Sequence, residues 1–367
     1  MNTILISTSK FGTAIPNYFQ YLGREFKENN FSVIFIFDGQ IKNLPSNQDN
    51  IKYHSYPSKR PTHIADFIFL YKIIKKEKPI LCISNFGSTN VVSIISFILR
   101  VPTRINYLHT SPNQLNIDSN KTYIAQKILQ IRKIFILKMN THFLTNSTQM
   151  SKLISKFFKI KKNKISILPY LIEEKKTKCS SYNARSFNIC IIGRLTPSKG
   201  HYDLLNAFKK TLEIYPELKL YIIGDGEEKN RLTKLSKNLD IFENIIFLNH
   251  VPNEKIHNIY SNALCSVSAS KSEAFGIVNI ESLREGTPII CTKTEGSRDI
   301  IKNGKNGFFI DFNKKNELTE KINIILNNWD NFSENAQKDF KDNYSSKNIN
   351  NHFQKLKNFI NSINDKH

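Results

Sequence analysis

The sequence lacks the paired cysteines of a disulfide-stabilised protein: it contains five cysteines, an odd number, scattered along 367 residues. Four of them lie in or at the end of apolar, strand-like runs, and the exception is Cys179. A disulfide framework and a cysteine-ligated metal site both need cysteines at suitable spacings, so this distribution argues against both. It favours reduced thiols in the core of a cytoplasmic protein.

The sequence also lacks an apolar run of the about 20 residues that cross a bilayer. The apolar start at 3–7 is short and has no basic flank, so we expect a buried strand there and no signal peptide. There is no Asp-x-Asp pair and no cluster of histidines and cysteines, so we expect neither a metal nor a cofactor. The turn after the first strand has a single glycine, Gly12, which excludes a dinucleotide-binding fingerprint.

Acidic side chains are scarce in the first half of the chain. The net charge is +22; residues 1–186 contain 28 lysines and arginines against 9 acidic residues, and residues 187–367 contain 25 against 22. The first half therefore carries a balance of +19, and the second half +3. This asymmetry predicts a polyanionic partner for the first half, either nucleic acid or an anionic membrane surface.

Strand-like and helix-like patterns alternate along the chain in two series. The series are separated by a polar linker at 175–186 and followed by a polar helical tail at 330–367. Such alternation predicts two α/β domains with parallel sheets, which bind ligands at the carboxyl ends of their strands. The predicted strands lie at 3–7, 32–37, 80–84, 103–108, 142–145 and 165–168, and then at 187–192, 218–223, 245–248, 263–268, 289–291 and 308–310.

The segment 272–288 contains two carboxylates, Glu273 and Glu281, eight positions apart. We expect Glu273 on the loop after a buried strand and Glu281 on the helix that begins after Gly276. A carboxylate can accept two hydrogen bonds from sugar hydroxyls, and the first amides of a helix favour anions. The segment therefore predicts a site for a ligand that has both hydroxyls and phosphates.

A second motif, Gly193-Arg194-x4-Lys199-Gly200, lies between a predicted strand and a predicted helix. We expect both cations on an exposed loop beside a helix N-terminus, which suits a diphosphate. Gly224-Asp225-Gly226 follows the next predicted strand.

These motifs, in this order, resemble the retaining glycosyltransferases of family 4, also called glycosyl transferases group 1. The family usually has Glu-Gly-Phe-Gly where this chain has Glu-Ala-Phe-Gly at 273–276. The resemblance covers 187–328 and implies an α/β GT-B fold, in which two Rossmann-like domains face each other across a cleft. Residues 1–175 would bind the acceptor, residues 187–328 would bind the nucleotide sugar, and the tail 330–367 would cross back to the first domain.

The resemblance also implies roles for the motif residues. Arg194 and Lys199 would bind the donor diphosphate, Glu273 the transferred sugar, and Glu281 the ribose hydroxyls. The catalytic candidates are Glu273, His109, Arg194 and Lys199. The donor-binding candidates are Gly12, Arg194, Lys199, Gly224, Asp225, His250, Val251, Glu273, Phe275, Gly276, Ile277 and Glu281.

His109 ends a predicted strand, and family members often have a histidine at such a position, close to the sugar. A structural histidine is an equally open interpretation. Asn85 and Gly87 follow another strand in a similar way.

Two basic stretches, 121–138 and 152–164, mix lysines with apolar residues and are candidates for contact with an anionic membrane. The alternative is a pair of ordinary helices that cover the sheet and have solvated lysines. The candidate cations are Lys127, Arg132, Lys133, Lys138, Lys156, Lys159, Lys161 and Lys162.

We therefore expect a retaining hexosyl- or related glycosyltransferase that uses a UDP- or GDP-linked sugar and a lipid-linked glycan acceptor. It would act in lipopolysaccharide, O-antigen or capsule synthesis, peripherally on the inner, cytoplasmic face of the plasma membrane. A transferase with a soluble acceptor is one alternative. A basic nucleic-acid-binding protein is the other, but no recognition motif supports nucleic acid as a partner, and the second half would remain unexplained.

Overall fold

A computed structural model describes residues 1–9, 14–41, 43–111, 122–174 and 181–364. The chain forms two compact units. The first contains Met1–His109, Asn120–Ile172 and Ser346–His367, and the second contains Thr110–Ser119 and Glu173–Ser345.

The first unit is built on a seven-stranded parallel sheet with the strand order β3-β2-β1-β4-β5-β6-β7. The central strands are runs of isoleucine, leucine and phenylalanine that are buried on both faces, as expected for a parallel sheet covered by helices. Its strands are β1 (Thr3–Thr8), β2 (Ser32–Phe37), β3 (Ile51–Ser55), β4 (Leu81–Ser84), β5 (Thr103–Leu108), β6 (His142–Thr145) and β7 (Ile165–Ile167).

In the described part of the chain, five α-helices connect these strands, and the direction of each connection decides which face of the sheet the helix covers. Right-handed crossovers place helices that step in the same direction on the same face. The first helix steps from β1 to β2, and the other four step towards β7. The helices are α1 (Ala14–Glu28), α2 (Ile64–Glu77), α3 (Thr89–Ile98), α4 (Tyr123–Leu137) and α5 (Thr148–Phe158).

The second unit contains a six-stranded parallel sheet with the order β10-β9-β8-β11-β12-β13. Its core is a cluster of buried aliphatic and aromatic side chains that includes Ile189, Leu204, Phe208 and Ile290. The strands are β8 (Asn188–Ile192), β9 (Lys219–Ile223), β10 (Ile245–Leu248), β11 (Cys265–Ser268), β12 (Ile289–Cys291) and β13 (Gly307–Phe309). The helices are α6 (His201–Leu212), α7 (Lys229–Asn238), α8 (Asn253–Asn262), α9 (Ile277–Arg284), α10 (Ser297–Ile300), α11 (Glu317–Asn327) and α12 (Trp329–Asn343).

The predicted tail at 330–367 is divided between the two units. Helix α12 packs on α9, and the Trp329 indole donates a hydrogen bond of 2.7 Å to the Leu264 carbonyl, so this helix belongs to the second unit. The last helix, α13 (Ile349–Asn364), belongs to the first unit and packs on α1. There the rings of Phe353 and Phe26 lie 5.0 Å apart. The part of the tail that joins the first unit therefore begins at 346, because the apolar side of α12 is used within the second unit.

Each sheet has a point at which the chain reverses its direction of winding. In the first sheet it lies between β1 and β4, and in the second between β8 and β11. Open parallel sheets bind ligands at the carboxyl ends of the strands beside such a point. The loop 193–200 follows β8, and the loop 269–276 follows β11.

Candidate functional site: a donor site in the second unit

The structure brings the two motif loops of the second unit together. The Lys271 amide donates a hydrogen bond of 2.8 Å to the Ser198 carbonyl. The Lys199 ammonium forms an ion pair with the Glu273 carboxylate. Residues 74 positions apart thus meet at the switch point of the sheet, where a ligand is expected.

The two cations of the loop 193–200, Arg194 and Lys199, differ in exposure. Arg194 is exposed, as predicted, but the Lys199 side chain is only 17% exposed and its partner Glu273 only 16%. The prediction that both lie on an exposed loop is therefore wrong for Lys199. Its ion pair lies in a partly desolvated position, where charges interact more strongly than at the surface.

Glycine is required where the loop 269–276 turns into α9. Gly276 has a φ of +87° and immediately precedes the first turn of α9. A Cβ atom at this position would lie 2.7 Å from the Asn279 side-chain nitrogen. The first amides of α9, beginning with Ile277, are therefore next to a backbone that carries no side chain, an arrangement that lets an anion approach.

Gly224 and Asp225 follow the adjacent strand, β9, and support the loop 193–200. The Asp225 carbonyl accepts a hydrogen bond of 2.9 Å from the Leu195 amide. A Cβ atom on Gly224, whose φ is +136°, would lie 2.0 Å from the Gly193 carbonyl oxygen. Both residues were predicted to bind the donor, and in this structure their visible contacts hold the loop that carries Arg194.

Glu281 lies on α9, as predicted, and its surroundings disfavour its charge. Burial raises the pKa of Glu281 to about 7; Arg284 opposes this shift and Glu285 adds to it. The carboxyl group therefore titrates near neutral pH. A group of this kind changes from hydrogen-bond donor and acceptor to acceptor only as it ionises.

Glu295 is a neighbour of this site to which sequence reasoning gave no role. It lies on the loop after β12 and accepts a hydrogen bond from the Ser272 hydroxyl at 3.3 Å. The next amide, Gly296, donates to the Glu273 carbonyl at 2.8 Å. Its position within 187–328, the range that resembles the family, was the available signal.

Residues 173–343 match the family model described as "Glycosyl transferases group 1". The second unit is a group 1 glycosyltransferase domain. Its match spans the loops that carry Arg194, Lys199 and Glu273 and the helix that carries Glu281.

Named relatives agree with this assignment. The chain is 30% identical over 247 residues to an uncharacterized glycosyltransferase of Methanocaldococcus jannaschii. The matched region covers 63% of this chain and 60% of that protein, so the chain spans less than two thirds of the length of this relative. It is 26% identical over 305 residues to the capsular polysaccharide biosynthesis glycosyltransferase CapM of Staphylococcus aureus, covering 76% of this chain and 77% of the relative.

The fold is of the GT-B class. The crystal structure of Anabaena HepE in complex with UDP and glucose matches 99% of this chain and 100% of its own chain, with a TM-score of 0.74 and 15% identity. At that identity the likeness concerns the fold, which here consists of two parallel sheets covered by helices.

The remaining donor-site candidates of the group 1 domain vary in accessibility. His250 is exposed and Val251 is half-buried, and both lie on the loop after β10. The Phe275 side chain is buried, with its ring 6.2 Å from that of Tyr344, so only its backbone is available to a ligand. Gly12 lies outside the described residues.

The first unit contains the other catalytic candidate, His109, at the end of β5. Its ring lies 3.9 Å from the Phe86 ring, and Phe86 has a φ of +52°, which is uncommon for a residue with a side chain. Burial, assisted by the charge of Lys133, lowers the pKa of His109 to about 4. The imidazole is therefore neutral at pH 7 and can accept a proton or a hydrogen bond.

Buried polar atoms without a hydrogen-bond partner accumulate at the same edge of this sheet. Such a group costs about 1–3 kcal/mol, so it usually implies water or a ligand. Asn85 and Gly87 were expected here, and the Gly87 amide donates to Asp38 at 3.2 Å. Among the described residues, the unpartnered atoms at this edge belong to Thr8, Asp38, Asn85, His109, Thr145 and Asn146, which end or follow β1, β2, β4, β5 and β6.

The candidate membrane cations lie on or after α4 and α5, and all but one are exposed. The exception is Lys133, which is half-buried; burial, assisted by the charge of Arg132, lowers its pKa to about 8. Its inclusion among the membrane-facing residues is wrong, because it is half-buried, lies close enough to His109 for its charge to lower the pKa of that imidazole, and is about 100° around the helix from its exposed neighbour Arg132. The exposed members are Lys127, Arg132, Lys138, Lys156, Lys159, Lys161 and Lys162.

Within the described ranges, no group of three or more histidine, cysteine, aspartate or glutamate side chains could hold a metal ion. Among the helices described above, none is long and apolar enough to span a membrane.

Proposed function

We propose that this chain transfers a sugar from a nucleoside diphosphate sugar to a glycan acceptor, with retention of the anomeric configuration. The observation that carries the proposal is the meeting of Lys199 and Glu273 at the switch point of a group 1 glycosyltransferase domain. One side chain suits a phosphate and the other suits sugar hydroxyls.

The donor is a UDP- or GDP-linked sugar, and UDP is supported by the complex of the structurally similar HepE with UDP and glucose. Arg194 and Lys199 bind its diphosphate, together with the first amides of α9. Glu281 accepts hydrogen bonds from the ribose, and the loop at His250 and Val251 lies beside the base.

In the reaction, the bond between the anomeric carbon and the diphosphate oxygen breaks, and the acceptor oxygen bonds to the same face of that carbon. The acceptor proton passes to the departing phosphate oxygen, so no protein nucleophile is needed. Negative charge develops on the leaving diphosphate, and Arg194 and Lys199 are placed to stabilise it. Glu273 orients the sugar.

The acceptor binds the first unit, at the carboxyl edge of its sheet. The unpartnered polar groups at that edge, with the neutral His109, suit the hydroxyls of a glycan. The similarity to a capsule biosynthesis enzyme supports an envelope polysaccharide, such as capsule, O-antigen or lipopolysaccharide, as the product. We place the reaction on a lipid-linked acceptor at the inner face of the plasma membrane.

Thermal-shift measurements test the donor part of this proposal. UDP or GDP should raise the melting temperature, because a ligand that binds only the folded state stabilises it. At a ligand concentration about 100 times the Kd, the gain is about 2.7 kcal/mol. The nucleoside monophosphate is the matched control and should act more weakly, since it lacks one phosphate. If no nucleoside diphosphate stabilised the protein, the proposal would fail.

Charge reversal tests the attachment to the membrane. Each lysine or arginine near an anionic surface contributes about 1 kcal/mol. Replacing Lys127, Arg132 and Lys138 by glutamate should therefore reduce binding to anionic vesicles at least about tenfold at low salt. Lys133→Glu is excluded from the set because that side chain is half-buried. The control is a triple variant of the second unit in which glutamate replaces Lys210, Lys234 and Lys237. It should change vesicle binding little.

A further inference from the structure

The helices of the first unit expose an unusual number of large apolar side chains. Of the fourteen that are exposed among the described residues, nine lie on α2, α3 and α4, and their exposed fractions range from 37% to 79%. We call these nine residues the α2–α4 face: Ile64, Ile68 and Tyr71 on α2, Phe97 and Ile98 on α3, and Ile124, Ile128, Ile131 and Phe135 on α4.

The nine side chains share one surface. All three helices step towards β7, so right-handed crossovers put them on the same side of the sheet. In addition, α2 contacts α3, and α3 contacts α4. On α2 and on α4 the exposed residues are spaced by three or four positions, which is the spacing of one helical stripe. The stripes point away from the core, because the same helices bury other side chains, such as Leu70 on α2, Ile95 on α3 and Ile136 on α4.

Within residues 61–111 and 122–145, which contain this face, the exposed charged side chains are all positive. Exposed cations lie on or next to the same helices: Lys72, Lys75, Arg100, Arg132 and Lys138. Residues 61–111 and 122–145 contain only two carboxylates, Asp66 and Glu77. Asp66 is buried and accepts hydrogen bonds from Ser58, and Glu77 is paired with Lys52 at 2.8 Å. In these ranges, then, no exposed carboxylate offsets the cations.

We propose that the α2–α4 face docks on an anionic membrane by inserting its apolar side chains between the lipid headgroups. The choice of a membrane rests on the proposed attachment to lipid, but the surface includes two helices, α2 and α3, that the basic stretches of the sequence did not indicate. Apolar stripes flanked by lysine and arginine are the pattern of helices that lie in the interface of anionic bilayers. Large exposed apolar patches are rare on proteins that have no partner.

A second copy of the chain fits the same face less well. Face-to-face pairing would bring the cations of both copies together without carboxylates between them, and like charges at close range repel. An anionic lipid surface supplies both the apolar layer and the opposite charge.

Apolar insertion can be separated from charge attraction by salt. Salt screens exposed charges but leaves the burial of apolar side chains in place. Flotation of the full chain with vesicles of phosphatidylcholine and phosphatidylglycerol should show binding that weakens with salt but retains a salt-resistant part. The double variants Ile64→Ser with Ile68→Ser, and Phe97→Ser with Ile98→Ser, should each reduce the salt-resistant binding about tenfold or more.

The second unit offers a matched control. Ile214 and Ile324 are exposed isoleucines outside the α2–α4 face, and replacing both by serine should leave vesicle binding unchanged. Double variants that bind as well as the original chain, or a control pair that loses as much, would overturn the proposal. If the original chain sedimented as a dimer without vesicles and the double variants of the α2–α4 face did not, the occupant would be a second copy of the chain. This result would also overturn the proposal.

Tryptophan fluorescence gives a second readout on the intact protein. The only native tryptophan, Trp329, is buried, so an added tryptophan at the surface reports its own surroundings. Phe97→Trp should shift its emission to the blue with anionic vesicles, whereas Tyr202→Trp in the second unit should not. No shift at Phe97→Trp would exclude insertion there. None of these measurements needs sugar transfer. Membrane docking by the α2–α4 face can therefore be refuted while the proposed transferase activity stands, and the activity can be refuted while the docking stands.

Discussion

Replacing Lys199 with alanine should lower the rate of sugar transfer by about a hundredfold or more. Losing one preorganised group that stabilises developing charge typically has an effect of this size. Lys199 is held at the switch point by its ion pair with Glu273, and both side chains are largely shielded from water. Arg194→Ala should also reduce the rate, because the exposed guanidinium of Arg194 lies on the same loop. The measurement is the rate of nucleoside diphosphate release in the presence of acceptor.

The controls for this experiment come from the same unit. Lys210→Ala removes an exposed lysine and its surface pair with Glu213, and it should leave the rate unchanged. Lys199→Ala leaves the Glu273 carboxylate partly buried without its partner, so some loss of stability is expected and the melting temperature must be recorded. Lys199→Arg keeps the charge and should retain more activity than Lys199→Ala. Full activity in both Arg194→Ala and Lys199→Ala would contradict the assigned roles.

Much of this site could be predicted from the sequence, because parallel α/β sheets impose strong rules on position. A loop that follows a strand must lie at the carboxyl edge of the sheet, so the loops with Arg194 and Glu273 were expected at one edge. What the sequence could not supply was the desolvation of Lys199. That depends on the ion pair with Glu273, which lies 74 residues away.

Local patterns failed where the packing of several elements decides the outcome. Strand β3, Ile51–Ser55, was not predicted, because it is an edge strand with one buried residue, Ile51, and polar neighbours. On α4, apolar residues occur on every side, so the sequence could not tell which stripe would be buried. The structure buries Ile136 and Leu137 and leaves Ile128 and Ile131 exposed.

The polar groups at the edge of the first sheet show the same limit. His109 was singled out because a resemblance drew attention to it, whereas Asp38 and Asn146 occupy equivalent positions after their strands and received no role. The signal was available, since each directly follows a run of strand-forming residues. Burial raises the pKa of Asp38 to about 7, even though its hydrogen bond from Gly87 opposes the shift.

Replacing Glu281 with glutamine should weaken the binding of nucleoside diphosphate by about tenfold or more, because a charged acceptor for the ribose hydroxyls is lost. Glu273→Gln should instead reduce turnover and change the affinity for the bare nucleotide little, since the role we propose for Glu273 is contact with the transferred sugar. Calorimetry with UDP or GDP separates the two effects. An equal loss of affinity in both variants would refute this division of roles.

The pH dependence of nucleotide binding provides a second test of Glu281. Burial raises its pKa to about 7, so the Glu281 carboxyl group is mostly protonated at about pH 6 and mostly ionised at about pH 8. Because the ionised form is the better acceptor, affinity should increase as the pH rises through this range. The nucleotide phosphate titrates in the same range, so the informative quantity is the difference between the original chain and Glu281→Gln. The variant should have the shallower pH dependence, since only the phosphate still titrates. Parallel pH profiles would show that Glu281 does not bind the ribose as a carboxylate.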